Sequence, residues 1–210
     1  MKKLVIVLAA SVFLAATAQA TSVTVTATGQ VYFNGINAPP LDGVNSGELV
    51  TMTFQVDSDN FFDGIPGDTR GYVIDQPSFS LSFSGGLNMG LMDPYPAGET
   101  PYFTLVEGFP VSDGFFVSNS AISPGGVTLA QDPINLDLYL GYDGDTLQTL
   151  DILDALGVYG YAGLTSFSFG LWAIFPDNVV MGIDFMLLEI MESGVSTTET
   201  SWGEVKAMFR

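Results

Sequence analysis

LVTMTFQV, Leu49 to Val56, is the stretch on which the fold turns. Val50, Met52, Phe54 and Val56 share one side of it; Thr51, Thr53 and Gln55 share the other. Successive strand side chains point to opposite faces, so this period of two puts one face on a core and one in water. Upstream, TSVTVTAT (residues 21–28) sets Val23, Val25 and Ala27 against Ser and Thr, and Val31-Tyr32-Phe33 carries on to a turn at Asn34-Gly35. Downstream, Phe79, Leu81 and Phe83 alternate with serines, and Ile134, Leu136, Leu138 and Leu140 alternate with Asn135, Asp137 and Tyr139. Shorter strand patterns lie at 72–74, 87–91, 102–106 and 114–117, and two longer ones at 164–174 and 179–191. In the last, Ile183, Phe185 and Leu187 oppose Asp184, Met186 and Leu188, which predicts that both faces are largely covered. The period changes once: Leu147, Leu150, Leu153 and Leu156 recur three apart before Gly157, predicting one short helix near 147–156. About nine or ten short strands without a βαβ rhythm predict an all-β fold, an antiparallel β-sandwich of jelly-roll-like type. The segments are too short and too broken by Pro and Gly for an outer-membrane barrel.

Residues 1–20 read as a signal peptide. Lys2 and Lys3 precede an apolar run from Leu4 to Ala16 that is too short to span a bilayer, and Ala18-Gln19-Ala20 is a small-x-small cleavage site. The expected organisation is a leader at 1–20, a β-sandwich domain at 21–193, and a linker with a short amphipathic tail at 194–210, with no transmembrane segment after leader removal. The chain has no Cys, which excludes disulfides, thiolate metal sites and lipid attachment at a cleavage-site cysteine. It has no His, which excludes Ser-His and Cys-His nucleophile systems. Five bases against 23 acids give a formal charge of -18, and loss of Lys2 and Lys3 takes it to -20. Such a surface repels nucleic acid and anionic lipid, so neither is an expected partner. With 47% hydrophobic and 13% charged residues, the chain is a packed domain and not a disordered acidic tail.

The acid gathers in VDSDNFFDGIPGDTRGYVID, Val56 to Asp75. Asp57, Asp59, Asp63 and Asp68 offer hard carboxylate oxygens, a candidate calcium set whose mutual repulsion a cation would relieve. It is not an EF-hand: Phe61 and Phe62 stand where an oxygen ligand and a glycine are needed. The plainer reading makes these residues turn formers. Asp143-Gly144-Asp145 is a second candidate, or a hairpin turn. Arg70, a lone base among acids, predicts a fork-like ion pair with Asp63, Asp68 or Asp75. Tyr159 and Tyr161 are candidates to stack on sugar rings; Trp172, Tyr95, Tyr102 and Phe115 join them if exposed, though aromatics at alternating strand positions more often build core. Catalysis has only a carboxylate pair to draw on, and among 23 acids chance supplies such pairs, so no enzyme is expected. In the closing SWGEVKAMFR, Ser201 and Glu204 have capping-box spacing, Trp202, Val205 and Phe209 share a helical face, and Lys206 and Arg210 sit toward the C-terminal end. So short a helix is marginal alone and is expected to order on a partner.

Through GINAPPLDGVNSGELVTMTFQVDS (35–58), TRGYVIDQPSFSL (69–81) and TLDILDALGVY (149–159), the body resembles secreted bacterial β-proteins of the PEP-CTERM-associated type. The resemblance spans most of residues 21–191 and carries no catalytic motif. The chain departs from that pattern in having no VPEP motif, no C-terminal apolar helix and no terminal Arg cluster. Its end instead resembles the short T-W-G-x-x-K-x-x-F-R tail of exported bacterial proteins, matched by Trp202, Gly203, Lys206, Phe209 and Arg210, with Ser201 set between Thr200 and Trp202. The resemblance implies a tail read by export or anchoring machinery. The expectation is a secreted, non-enzymatic structural or binding protein of the cell surface or extracellular matrix. A carbohydrate-binding module with a polysaccharide partner is the alternative, and a carboxylate-based glycosidase the third. An aromatic strip exposed on one sheet favours the module.

Overall fold

A computed structural model describes residues 20–108, 112–118, 121–124, 134–173 and 179–194. The leader, apart from Ala20, and the amphipathic tail lie outside the described residues. The strands are β1 (Ser22–Asn34), β2 (Leu49–Asp63), β3 (Thr69–Ile74), β4 (Ser80–Phe83), β5 (Asn88–Leu91), β6 (Tyr102–Val106), β7 (Asp113–Ser118), β8 (Ala121–Pro124), β9 (Ile134–Tyr142), β10 (Gly157–Tyr159), β11 (Leu164–Ala173) and β12 (Val179–Glu192). Every pairing is antiparallel. The fold is the all-β antiparallel sandwich that the alternation predicts.

The strands run β1-β12-β11-β9-β7-β6-β3-β2, and β2 returns to pair with β1, so the circuit closes. β2 is long enough to serve both layers: Val50 to Thr53 pair with β4, while Phe61 to Asp63 pair with β3. From β4 a second path runs through β5 and β8 back to β9. Closure of this kind removes the open edges at which other chains could add.

The core is the inward set of the alternation. Met52, Phe54 and Val56 of β2 pair with Ala27, Val25 and Val23 of β1 and Val50 with Gly29, all nearly or fully buried. A run of rings crosses it: Phe54 to Phe103 at 5.5 Å, Phe103 to Phe115 at 6.0 Å and Phe115 to Tyr159 at 4.7 Å between centroids. Each fully buried side chain of this size contributes about 1.5–3 kcal/mol.

β12 corrects one expectation. Thr28 pairs with Leu187 but Gly29 pairs with Phe185, so Met186 is an extra residue. This β-bulge shifts the alternation by one. Met181, Ile183 and Phe185 point inward before it, and Leu188 and Ile190 after it, leaving Asp184 and Met186 exposed. The strand has one covered face.

The helix expected near 147–156 is absent as well; turns fill the segment. Its leucines are buried or half-buried as the spacing requires, but its backbone groups are taken elsewhere. The Leu147 N–H donates to Asp113 Oδ2 (2.7 Å). The Tyr72 hydroxyl donates to the Leu150 carbonyl (2.7 Å) and accepts from the Ile152 N–H (2.9 Å). Thr149 Oγ1 accepts from the Asp151 N–H, and Asp151 Oδ1 from the Leu153 N–H. Side chains that bind nearby backbone in this way compete with helical hydrogen bonds.

Candidate functional site

The acidic hairpin comes first, because it carries the residues named for calcium. Val56 pairs with Ile74 and Phe61 with Tyr72, so residues 57–60 bulge out of β2. Within the bulge Asp57 Oδ1 accepts the Asp59 N–H (2.8 Å), while the Ser58 N–H donates to the Thr21 carbonyl and Ser58 Oγ accepts the Thr21 N–H. Asp63 is committed to Arg70, its direct cross-strand partner: Nε to Oδ1 is 2.6 Å and Nη2 to Oδ2 is 3.2 Å. The guanidinium also stacks over Phe61, 4.0 Å from the ring centroid. Arg70 holds the Asp63 carboxyl below its ordinary value, and Asp63 in turn raises the guanidinium. Asp68 lies in the following turn, where its N–H donates to the Ile65 carbonyl. Asp57 and Asp75 line an open cavity of about 540 Å³ together with Gln55, Asn60 and Gln76. Among the described residues no three acidic side chains are grouped to hold a metal ion. The structure therefore does not bring Asp57, Asp59, Asp63 and Asp68 together. Asp143 and Asp145 belong to a bend in which the Asp143 N–H donates to the Gly163 carbonyl.

The two tyrosines named for stacking part ways. Tyr159 is half-buried against Phe115 and Tyr142, and its hydroxyl donates to the Ala155 carbonyl (2.8 Å). Tyr161 is exposed, set edge-on to Phe167 and Phe185, with its hydroxyl donating to the Phe185 carbonyl. Phe115 is core, and Tyr95 is half-buried against the core cluster. The ring of Tyr102 covers Gly71 of β3.

The outer face of β9, β11 and β12 holds a more coherent arrangement. In β11, Phe169, Leu171 and Ala173 point inward, so Gly170 and Trp172 point outward; in β12, Met181 and Ile183 point inward, so Gly182 and Asp184 point outward. Cross-strand register aligns these into rows. Gly182 pairs with Gly170, and Gly170 with Asp137. In the next row Val180 pairs with Trp172, and Trp172 with Asn135. β1 adds Tyr32, which lies at a register shift between Val31 and Phe33. The tip of its ring covers Gly182: a Cβ there would lie 2.3 Å from Tyr32 Cζ. A Cβ on Gly170 would lie 2.5 Å from the Met181 carbonyl oxygen. Glycine inside a strand marks a close approach, here by a ring in one case and by backbone in the other.

The result is a groove of about 360 Å³ with a glycine floor. Tyr32 (60% exposed) and Trp172 (46%) offer ring surface, Phe167 and Val180 add apolar surface, and Asp137, Ser168 and Asp184 supply polar groups. Ser168 Oγ donates to Asp137 Oδ2, which fixes that carboxylate. The volume lies in the range of about 300–1,000 Å³ usual for small-ligand sites, and the mix of apolar walls with few polar groups is their usual lining. Trp172 was named from the sequence; Tyr32, Asp137, Ser168 and Asp184 were not. The available signal was a glycine at an outward position in each of two otherwise apolar strands.

No protein-family model matches the chain, and neither a curated protein nor a solved structure is similar to it.

Proposed function

We propose that this chain is an exported, non-catalytic protein of the bacterial cell surface or matrix that binds polysaccharide in the groove between Tyr32 and Trp172. The observation that carries the reading is the pair of exposed aromatic rings set around a glycine floor, with carboxylate and hydroxyl groups alongside. Aromatic rings bury large apolar area while leaving an edge wet, which suits the apolar faces and hydroxyl rims of a pyranose. Asp137, Ser168 and Asp184 are the hydrogen-bonding groups such a rim requires. The leader-like start and the T-W-G-type tail support a place outside the cytoplasm, and the resemblance to PEP-CTERM-associated proteins points the same way.

Affinity electrophoresis through gels containing soluble glucans, xylans or deacetylated chitin tests this. The protein should be retarded by at least one polymer, and Trp172→Ala should run unretarded with an unchanged circular dichroism spectrum. Equal mobility in every gel would sink the reading.

The two groove carboxylates support a second reading, a glycosidase. Both are exposed on an open face, whereas a general acid works from an apolar enclosure. Release of reducing ends from a bound polymer, lost in Asp137→Asn, would favour the enzyme.

A further inference from the structure

We propose that the groove prefers a polysaccharide with free amino groups, a β-linked glucosamine chain, over neutral and acidic sugars. The inference rests on the sugar-binding reading above and adds the charge class of the ligand.

Three observations carry it. First, both ionisable groups that line the groove without being aromatic, Asp137 and Asp184, are acids. Second, among the described residues no base balances them: Arg70 is the only base there, and it is held by Asp63 on the β2–β3 hairpin. Third, the two acids line the same groove as the aromatic rings from different strands, Asp137 on β9 across from Gly170 and Asp184 on β12 two residues beyond Gly182. A chain lying on Tyr32 and Trp172 therefore meets both carboxylates in the same groove. Ser168 fixes Asp137, so its charge is already oriented before a ligand arrives. The Asp184 carboxylate is exposed and open to an ammonium donor. A charge-assisted hydrogen bond from an amine to a carboxylate is about twice as strong as a neutral one. Uronic or sulfated sugars meet the same carboxylates as like charges and are rejected. The field of the whole chain, -18 in formal charge, acts in the same sense and speeds the encounter.

That general field is also the alternative explanation, because any acidic protein attracts a polycation. The test separates the two. Full-length mature protein is titrated by isothermal calorimetry with the glucosamine hexamer, its N-acetylated counterpart, cellohexaose and an oligogalacturonate, at a pH where the amine is charged. The expected result is binding of the glucosamine hexamer about tenfold or more tighter than cellohexaose, with no binding of the uronate. The Asp137→Asn, Asp184→Asn double variant should bring the hexamer to the affinity of cellohexaose, and Trp172→Ala should abolish both. Equal affinity for the amino and neutral hexamers overturns the inference and leaves the groove reading intact. Undiminished glucosamine binding by Trp172→Ala assigns the effect to net charge and overturns it too. Absence of binding by any oligosaccharide overturns the sugar-binding reading itself.

Discussion

Replacing Tyr72 by Phe removes one hydroxyl from a fully buried ring and leaves the ring to pack as before. That hydroxyl both donates to the Leu150 carbonyl at 2.7 Å and accepts from the Ile152 N–H at 2.9 Å. Both contacts are buried, and residues 78 and 80 positions apart are tied by them. The variant orphans one buried carbonyl and one buried amide. An unsatisfied buried group costs about 1–3 kcal/mol, so the loss should be about 2–4 kcal/mol after partial relaxation. For a domain of this size that is a fall in melting temperature of roughly 5–15 °C. Differential scanning calorimetry of residues 21–210 measures it, and amide exchange should report a faster Ile152. Tyr142→Phe is the internal control: its hydroxyl makes one half-buried bond, to the Gly160 carbonyl at 3.1 Å, and its removal should cost about 0.5–1.5 kcal/mol. A Tyr72→Phe protein that melts within about 1 °C of the parent, with Tyr142→Phe the more damaging change, would refute the assignment of the 147–156 turns to this hydroxyl.

Three further predictions follow from other parts of the structure. Gly182→Ala should leave stability within about 0.5 kcal/mol, because the tip of Tyr32 can swing aside, yet weaken glycan binding; Gly170→Ala forces a methyl against the Met181 carbonyl and should cost about 1–3 kcal/mol, so equal thermal shifts in the two variants would count against this packing. Burial pushes the Tyr142 phenol up to about 12 and raises Tyr72 and Tyr159 above 10.0 as well. The unfolded chain then loses these protons first, so stability is complete below about pH 10 and falls as pH rises toward 12; Tyr142→Phe should move the alkaline unfolding midpoint upward, and a midpoint that stays put would remove Tyr142 as a cause. Millimolar calcium should leave the melting temperature unchanged relative to EDTA, since Asp57 and Asp63 are already engaged by the Asp59 N–H and by Arg70; a rise of roughly 5–10 °C, lost in Asp59→Ala, would show that the hairpin rearranges into a calcium site.

The strands were legible because one-sided burial writes a period of two into the chain, which β2 carries from Leu49 to Val56 and β9 from Ile134 to Leu140. Where the backbone departs from that period, the sequence misleads. The extra residue at Met186 made β12 look covered on both faces, since a bulge leaves no local mark among apolar residues. The leucines from 147 to 156 are buried three apart, but the partners that decide against a helix, Tyr72 and Asp113, come from distant strands. Acid density overstated proximity in the hairpin for a related reason. Neighbours along a strand point to opposite faces, and the bulge at 57–60 turns Asp57 upon its own backbone. The groove was legible only in fragments. Tyr32 and Gly182 touch across 150 positions, and nothing local to either announces the other.

Amide chemical-shift mapping of residues 21–210 during titration with a glucosamine hexamer and with cellohexaose tests the central claim most directly. The account predicts saturable shifts at Gly170, Gly182, Asp137 and the Trp172 indole, with the Asp57–Asp75 cavity undisturbed. Shifts centred on that cavity or on Tyr161, or none at saturating sugar, would contradict it.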